Sequence, residues 1–201
     1  QRQMCKETGG KTWEPARQIA HLGVRIEGNP RKTSGGEHGQ TVNNPVAIVD
    51  RETGAIEFLY CVNYARCFSM RSTDDGLTFS KSVEITAAFE SLRAKYAWKV
   101  IATGPGIQLA TGDIVVPNEA PFKNSSELIL VQLADGRVMM LTRSISEASR
   151  KLISTSPDGA TNWTTRKFHP ELWELICMAS VVALDRKDWL PSLRFLLAVR
   201  L

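Results

Sequence analysis

The 201-residue sequence is a series of short apolar runs, each broken by turn-forming residues before it reaches the length of a helix. Val46–Val49, Ile56–Val62, Ile114–Val116, Leu128–Val131, Val138–Leu141 and Ser180–Leu184 are strand-length and rich in β-branched or large apolar side chains. Between them stand Asp50–Gly54, Asp74–Gly76, Ala110–Asp113 and Ala134–Gly136, in which Asp bonds the local backbone and Gly tolerates a reversed φ. Strand, D-x-x-G or D-G turn, strand is the grammar of antiparallel hairpins, so the chain is expected to be all-β. One helix is expected over Ala87–Lys95, where Ala, Glu, Leu, Arg and Lys cluster. Pro30–Gln40 and Pro117–Ser126 are polar and carry Gly or Asn, and are expected to be loops.

Composition narrows the class. Hydrophobic residues make up 43% and charged ones 23%, which excludes a disordered or collagen-like chain and allows one domain with a sizeable core. A net charge of +4, from Lys and Arg that are scattered rather than striped, is no nucleic-acid footprint, so no nucleic-acid partner is expected. The most apolar tail, Trp189–Leu201, is cut by Pro191, Arg194 and Arg200, and no membrane span is expected. The chain starts at Gln1 with no basic-then-apolar leader and is expected to be a processed or truncated product. Cys5, Cys61, Cys67 and Cys177 are too sparse for a disulfide scaffold and read as buried or free thiols. His21, His38 and His169 share no ligand spacing, and neither a metal nor a cofactor is expected.

A weak internal repeat lies under the hairpin pattern. Lys6–Trp13, Ser72–Phe79 and Ser156–Trp163 end alike, and the middle copy fits S-x-D-x-G-x-T-[W/F] in full through Ser72, Asp74, Gly76, Thr78 and Phe79. Ser and Asp would bond nearby N–H groups, Gly would take positive φ, Thr would bridge the hairpin and the aromatic would plug the core. The first copy retains Gly10, Thr12 and Trp13; the third retains Ser156, Asp158 and Trp163 but has Ala160 and Asn162 where Gly and Thr belong. The anchors Trp13, Phe79 and Trp163 are too widely spaced for one propeller blade of roughly 40 to 50 residues per repeat, so the copies are no simple tandem array.

Ser72–Phe79 resembles the Asp box of the sialidase (neuraminidase) superfamily, and the flanking segments extend the resemblance. Asn44–Gly54 is similar to that family's N-P-x-P-V-V-D-x-x-T-G strand and turn. Trp98–Leu109 is similar to W-x-x-x-A-T-G-P-G-x-G-I-Q-L, and Ser126–Arg143 to N-E-S-Q-V-V-E-L-x-D-G-x-L-x-L-N-x-R. Phe168–Ser180 is similar to D-P-x-L followed by V-C-Q-A-S, with Met178 in place of Gln. The ordered matches run from about Lys6 to Leu184. They imply a six-bladed β-propeller of the sialidase type, incomplete, with about three to four blades represented, in a single partial domain over residues 1–201.

The resemblance implies an exo-α-sialidase, a retaining glycosidase that removes terminal sialic acids from a glycan, glycoprotein or ganglioside. Glu127 falls where the family places the carboxylate partnering its nucleophilic Tyr; a phenol with pKa near about 10 needs such a base. Arg143 falls where one of three arginines grips the sugar carboxylate, a task suited to a permanently charged fork. Taken alone, Glu127 also reads as a solvated residue at a strand start and Arg143 as a surface arginine ending one. Asn44 matches an Asn beside the family pocket and reads equally as a turn residue before Pro45. Arg194 either echoes the segment of the third arginine or belongs to the preceding strand.

Other family parts are not found. An R-I-P motif and an acid/base Asp precede the first box in the family, whereas five residues precede it here. Tyr60, Tyr64 and Tyr96 match no nucleophile motif, and Pro117 to Ser126 is too short for the additional box the family carries there. The expectation is a weakly active or inactive piece of a sialidase, or alternatively a non-catalytic propeller module that binds sialylated glycans or serves as a scaffold. Open β edges are expected to promote self-association. The family is compatible with secreted, periplasmic or lysosomal settings, and the residues themselves fix no localisation.

Overall fold

A computed structural model of the chain describes residues 12, 15–20, 42–90, 104–117, 125–174, 179 and 181. These residues fold into two four-stranded antiparallel meanders with a two-stranded sheet between them in sequence. The first meander comprises β1 (Val42–Val49), β2 (Ile56–Val62), β3 (Arg66–Ser72) and β4 (Val83–Glu84), in sequential order. β5 (Ile107–Gln108) pairs with β6 (Ile114–Val115). The second meander comprises β7 (Ser125–Gln132), β8 (Val138–Ser144), β9 (Arg150–Ser156) and β10 (Lys167–Trp173), again each beside the next.

The period-2 side-chain alternation of a strand gives each meander two faces. In the first, Phe58, Tyr60 and Val62 share a face with Phe68 and Met70 and form a buried cluster. Tyr60 stacks on Phe68 with ring centroids 5.3 Å apart, a contact worth about 0.5 to 1.5 kcal/mol beyond its area. Cys61 and Cys67 occupy the opposite face beneath Ile85 and Phe89. In the second, Ile129, Val131, Met139 and Leu141 pack with Ala179 on one face, while Leu130 and Val138 pack with Leu109, Ile107 and Val115 on the other. The small β5–β6 sheet therefore covers one side of the second meander.

The repeated turns hold the same place in both meanders, between the third and fourth strands. In Ser72–Phe79, the Ser72 hydroxyl accepts from Gly76 N at 2.9 Å, and Asp74 accepts from Thr78 N at 2.8 Å and from Thr78 Oγ1 at 2.5 Å. Gly76 has φ 79°, as the motif requires, and Phe79 meets Phe58 edge-on at 5.7 Å. Thr78 thus bonds inside the turn rather than bridging the hairpin. The third copy departs from its expected alignment. Gly159 (φ 75°) donates to Ser156 Oγ at 2.9 Å, and Thr161 donates to Asp158 through N at 2.7 Å and Oγ1 at 2.6 Å. Glycine and threonine therefore act one residue early, not at Ala160 and Asn162. Asn162, with φ 50°, takes up the extra residue and returns Trp163 to the core beside Leu130 and Val138. Trp13 of the first copy lies outside the described residues.

Several other expectations are adjusted. Of the helix expected over Ala87–Lys95, residues 87–89 belong to a 3-10 turn, Thr86–Phe89, Glu90 has helical backbone, and residues 91–95 lie outside the described residues. The turn is tied to β3, since Ile85 N donates to Cys67 O at 2.8 Å and Thr86 Oγ1 accepts from Cys67 N at 3.0 Å. The segment read as a loop over Pro117–Ser126 gives way to β7 at Ser125, and the strand expected to end at Val116 ends at Val115. β3, β4, β5, β9 and β10 are not among the expected strands. The strand expected over Ser180–Leu184 and the loop over Pro30–Gln40 lie outside the described residues, apart from Val181, which is in no strand.

Candidate functional site

β7 and β8 form a hairpin around the Asp135–Gly136 turn, with Gln132 opposite Val138 and Leu128 opposite Thr142. The register then slips: Ser126, not Glu127, is the Cα partner of Arg143. Glu127 is the extra residue of this bulge, with φ 52°. A left-handed backbone costs a residue with a Cβ about 1 to 2 kcal/mol. The bulge turns the Glu127 side chain onto the neighbouring strand, where Arg143 Nη1 donates to Glu127 Oε1 at 2.7 Å. The two side chains are 26% and 22% exposed, so the pair is half-desolvated but within reach of solvent.

Two features fix this pair in place. The backbone of Leu128, next to Glu127, is approached so closely by Gly104 that a Cβ there would stand 2.5 Å from Leu128 O. No side chain fits at that position, and Gly104 is further held by its N–H bond to Pro117 O at 2.7 Å. On the other side, Ser144, the residue after Arg143, donates its N–H to Glu174 Oε2 at 2.8 Å. Glu174 Oε1 in turn accepts from Lys151 Nζ at 3.0 Å, and both side chains are 2% exposed. A buried ion pair thus ties the end of β8 to β9 and to the residue that follows β10.

Neither Lys151 nor Glu174 is visible in the sequence as a functional residue. They are 23 residues apart, and nothing in R-K-L-I-S-T-S marks the lysine as buried. Of the expected site residues, the structure brings together Glu127 and Arg143. Asn44 lies on the first meander, at a bulge of β1 between Asn43 and Val46, also with φ 52° and hydrogen-bonded to Asn43. Arg194 lies outside the described residues. Tyr60 is 2% exposed in the first core with its hydroxyl on Ser82 Oγ at 2.9 Å, and Tyr64 sits in the β2–β3 turn.

The chemistry open to the pair follows from its groups. A guanidinium presents five donors, and Arg143 Nε is buried with no hydrogen-bond partner among the described residues. An incoming carboxylate oxygen would satisfy it. The Glu127 carboxylate can accept a proton or a hydroxyl hydrogen bond. Among the described residues, no group of three or more His, Cys, Asp or Glu could hold a metal ion, and no helix is long and apolar enough to cross a membrane.

No protein-family model matches the sequence, and no curated protein matches it. Solved structures do. A Hadza microbial sialidase superposes over 87% of the chain with a TM-score of 0.62 at 21% identity. The intramolecular trans-sialidase from Ruminococcus gnavus, in complex with oseltamivir carboxylate, superposes over 84% with a TM-score of 0.56 at 11% identity. A protein of unknown function from Dyadobacter fermentans superposes over 81% with a TM-score of 0.51 at 14% identity. The chain spans 41%, 63% and 56% of those three chains, in that order. At these identities the likeness is one of fold: the meanders are those of a sialidase-type β-propeller, represented incompletely.

Proposed function

We propose that the chain is part of a sialidase-like propeller whose Glu127–Arg143 pair belongs to a site for terminal sialic acid. The observation that carries this reading is Glu127 itself. A residue poorly suited to left-handed backbone occupies a bulge and aims its carboxylate at an arginine, and strain of that kind collects at functional sites. In the proposed roles Arg143 grips the carboxylate of the sugar, while Glu127 orients it and serves as base toward a nucleophilic tyrosine. The turns at Ser72–Phe79 and Ser156–Trp163 are then Asp boxes, structural elements of a single partial propeller domain that needs no cofactor or metal.

Hydrolysis needs more than this pair. Tyr60 and Tyr64 belong to the first meander, and Tyr60 has its hydroxyl engaged in a core. The 201-residue chain alone is therefore proposed to bind sialylated glycans with negligible turnover, because removing members of a catalytic constellation leaves little beyond binding. Calorimetric titration with sialyllactose and hydrolysis of methylumbelliferyl sialoside test both halves. Binding that disappears in Arg143→Ala, without fluorescence release, is the expected result. No binding would overturn the sugar site, and turnover abolished by Glu127→Ala would overturn the non-catalytic part. The open edges of the incomplete propeller are proposed to drive self-association, which a sharp monomer peak in size-exclusion chromatography would contradict.

A further inference from the structure

Cys61 on β2 and Cys67 on β3 are direct cross-strand partners, both fully buried, and no disulfide joins them in this structure. Their pairing class follows from the backbone. Cys67 N donates to Thr86 Oγ1 at 3.0 Å and Cys67 O accepts from Ile85 N at 2.8 Å, so both of its backbone groups face away from β2. The Cys61–Cys67 pair is therefore a non-hydrogen-bonded pair, the kind in which side chains approach most closely, with Cα atoms about 4.5 Å apart. That lies inside the window of about 4.4 to 6.8 Å that a disulfide needs. The two cysteines share a face of the sheet, and a tight turn at Asn63 and Tyr64, both with positive φ, fixes the register between them. We propose that Cys61 and Cys67 are a modification site: a disulfide that closes across the β2–β3 hairpin and staples the first meander.

The bond forms by exchange with a small-molecule disulfide such as oxidised glutathione. The thiolate of one cysteine attacks a glutathione sulfur and expels one glutathione thiolate. The thiolate of the second then attacks the protein-side sulfur of the mixed disulfide, forming the Cys61–Cys67 bond and expelling the other. The two protons released by the cysteines end on the two glutathione thiolates, and the chain is oxidised by two electrons.

The fold controls when this happens. A hydrogen bond with Cys61, and then burial, push the Cys67 thiol well above the ordinary cysteine range, so the closed meander is unreactive. The cover is slight, however. Ile85 and Phe89 lie over the sulfurs, and the strand that holds this edge, β4, is two residues long. Exchange proceeds through opening of that edge, or on the folding chain before β4 docks.

Trypsin tests the proposal directly, because cleavage after Arg66 separates Cys61, on the peptide 52–66, from Cys67, on the peptide 67–71. The full chain is unfolded and refolded in glutathione buffers of increasing oxidation, quenched in acid, alkylated and digested. The expected result is a joined 52–66/67–71 peptide, lighter by two hydrogens than the sum of its parts. It should rise as both alkylated peptides fall together, and disappear with dithiothreitol. Two alkylated peptides persisting in the most oxidising buffer would overturn the proposal, as would stable glutathione adducts or pairing of either residue with Cys5 or Cys177. Since the readout is made on the unaltered chain, no variant has to fold for the result to count.

Discussion

Asn44 and Glu127 occupy the same place in two different sheets. Each is the third residue of the eight-residue first strand of its meander, sits at a bulge and has φ 52°. Asparagine visits left-handed backbone readily, because its short side chain bonds locally, and here it bonds Asn43. Glutamate does not share that ease. The fold asks for the same backbone twice, answers it once with a suitable residue and once with an unsuitable one, and the unsuitable one carries the ion pair to Arg143.

Replacing Glu127 by Asn is therefore expected to separate stability from binding. The variant gains up to about 1 kcal/mol from the backbone and loses a part-exposed ion pair of similar size, so urea unfolding changes by about 1 kcal/mol or less. Arg143 loses its orienting carboxylate, and sialyllactose affinity falls at least about tenfold. A loss of several kcal/mol with binding intact would make Glu127 a structural residue.

The Lys151–Glu174 pair behaves in the opposite way. Both groups are out of solvent, and Lys151→Met leaves a buried carboxylate without its cation, which costs about 3 to 5 kcal/mol in urea unfolding. Adding Glu174→Gln removes the buried charge and retains an acceptor for the Ser144 N–H, so the double variant is more stable than Lys151→Met alone. A double variant no more stable than Lys151→Met alone would show that the pair is not coupled.

The sequence announces the hairpins whose strands are apolar and whose turns contain Asp and Gly. β2 and β8 are legible for that reason. β3, R-C-F-S-M-R-S, is obscured because its alternation uses Cys and Ser on buried positions, and β9 because its buried Lys151 is neutralised by a residue 23 positions later. β10 carries a proline and is mostly exposed, as an edge strand tolerates. Alanine and glutamate after Thr86 favour a helix, but two bonds to Cys67 draw the start of that segment onto the sheet as a single 3-10 turn. Glu127 and Arg143 are each legible as site residues through the family resemblance, and counting outward from the Gln132–Val138 register that the structure shows sets them opposite each other. What counting could not supply is the bulge that makes Ser126 the backbone partner while leaving the two side chains in contact.

Acid should weaken the first meander in a defined window. The Thr78 hydroxyl, with the Thr78 N–H and Ser72, holds the Asp74 carboxyl down to about 2, against an ordinary 3.8. The Arg66 guanidinium holds Glu84 down to about 2, against 4.5. Both folded values are depressed, so the stability they confer is complete above the ordinary values and is lost as pH falls toward about 2. Thermal midpoints should be level above 4.5 and decline below it. Asp74→Asn and Glu84→Gln should start lower at neutral pH and decline less steeply. Parallel acid limbs for the variants and the unaltered chain would exclude both carboxylates.

The shifted turn at Ser156–Trp163 makes the most counterintuitive prediction. Changing Asn162 to Thr brings the sequence closer to S-x-D-x-G-x-T-W, and a reading by pattern alone would expect stabilisation. The hydroxyl partner of Asp158 is already Thr161, which also donates its N–H, and these bonds hold the Asp158 carboxyl well below the usual range. Residue 162 instead carries φ 50°, where a β-branched side chain is strained. Asn162→Thr should therefore cost about 1 to 2 kcal/mol in urea unfolding, while Asn162→Gly should be neutral or slightly stabilising. Thr161→Val should destabilise, since it removes the Asp158 hydroxyl partner while leaving the backbone free to keep its path. If Asn162→Thr stabilised the chain and Thr161→Val were silent, the turn would follow the sequence pattern at Asn162 and not the one-residue shift.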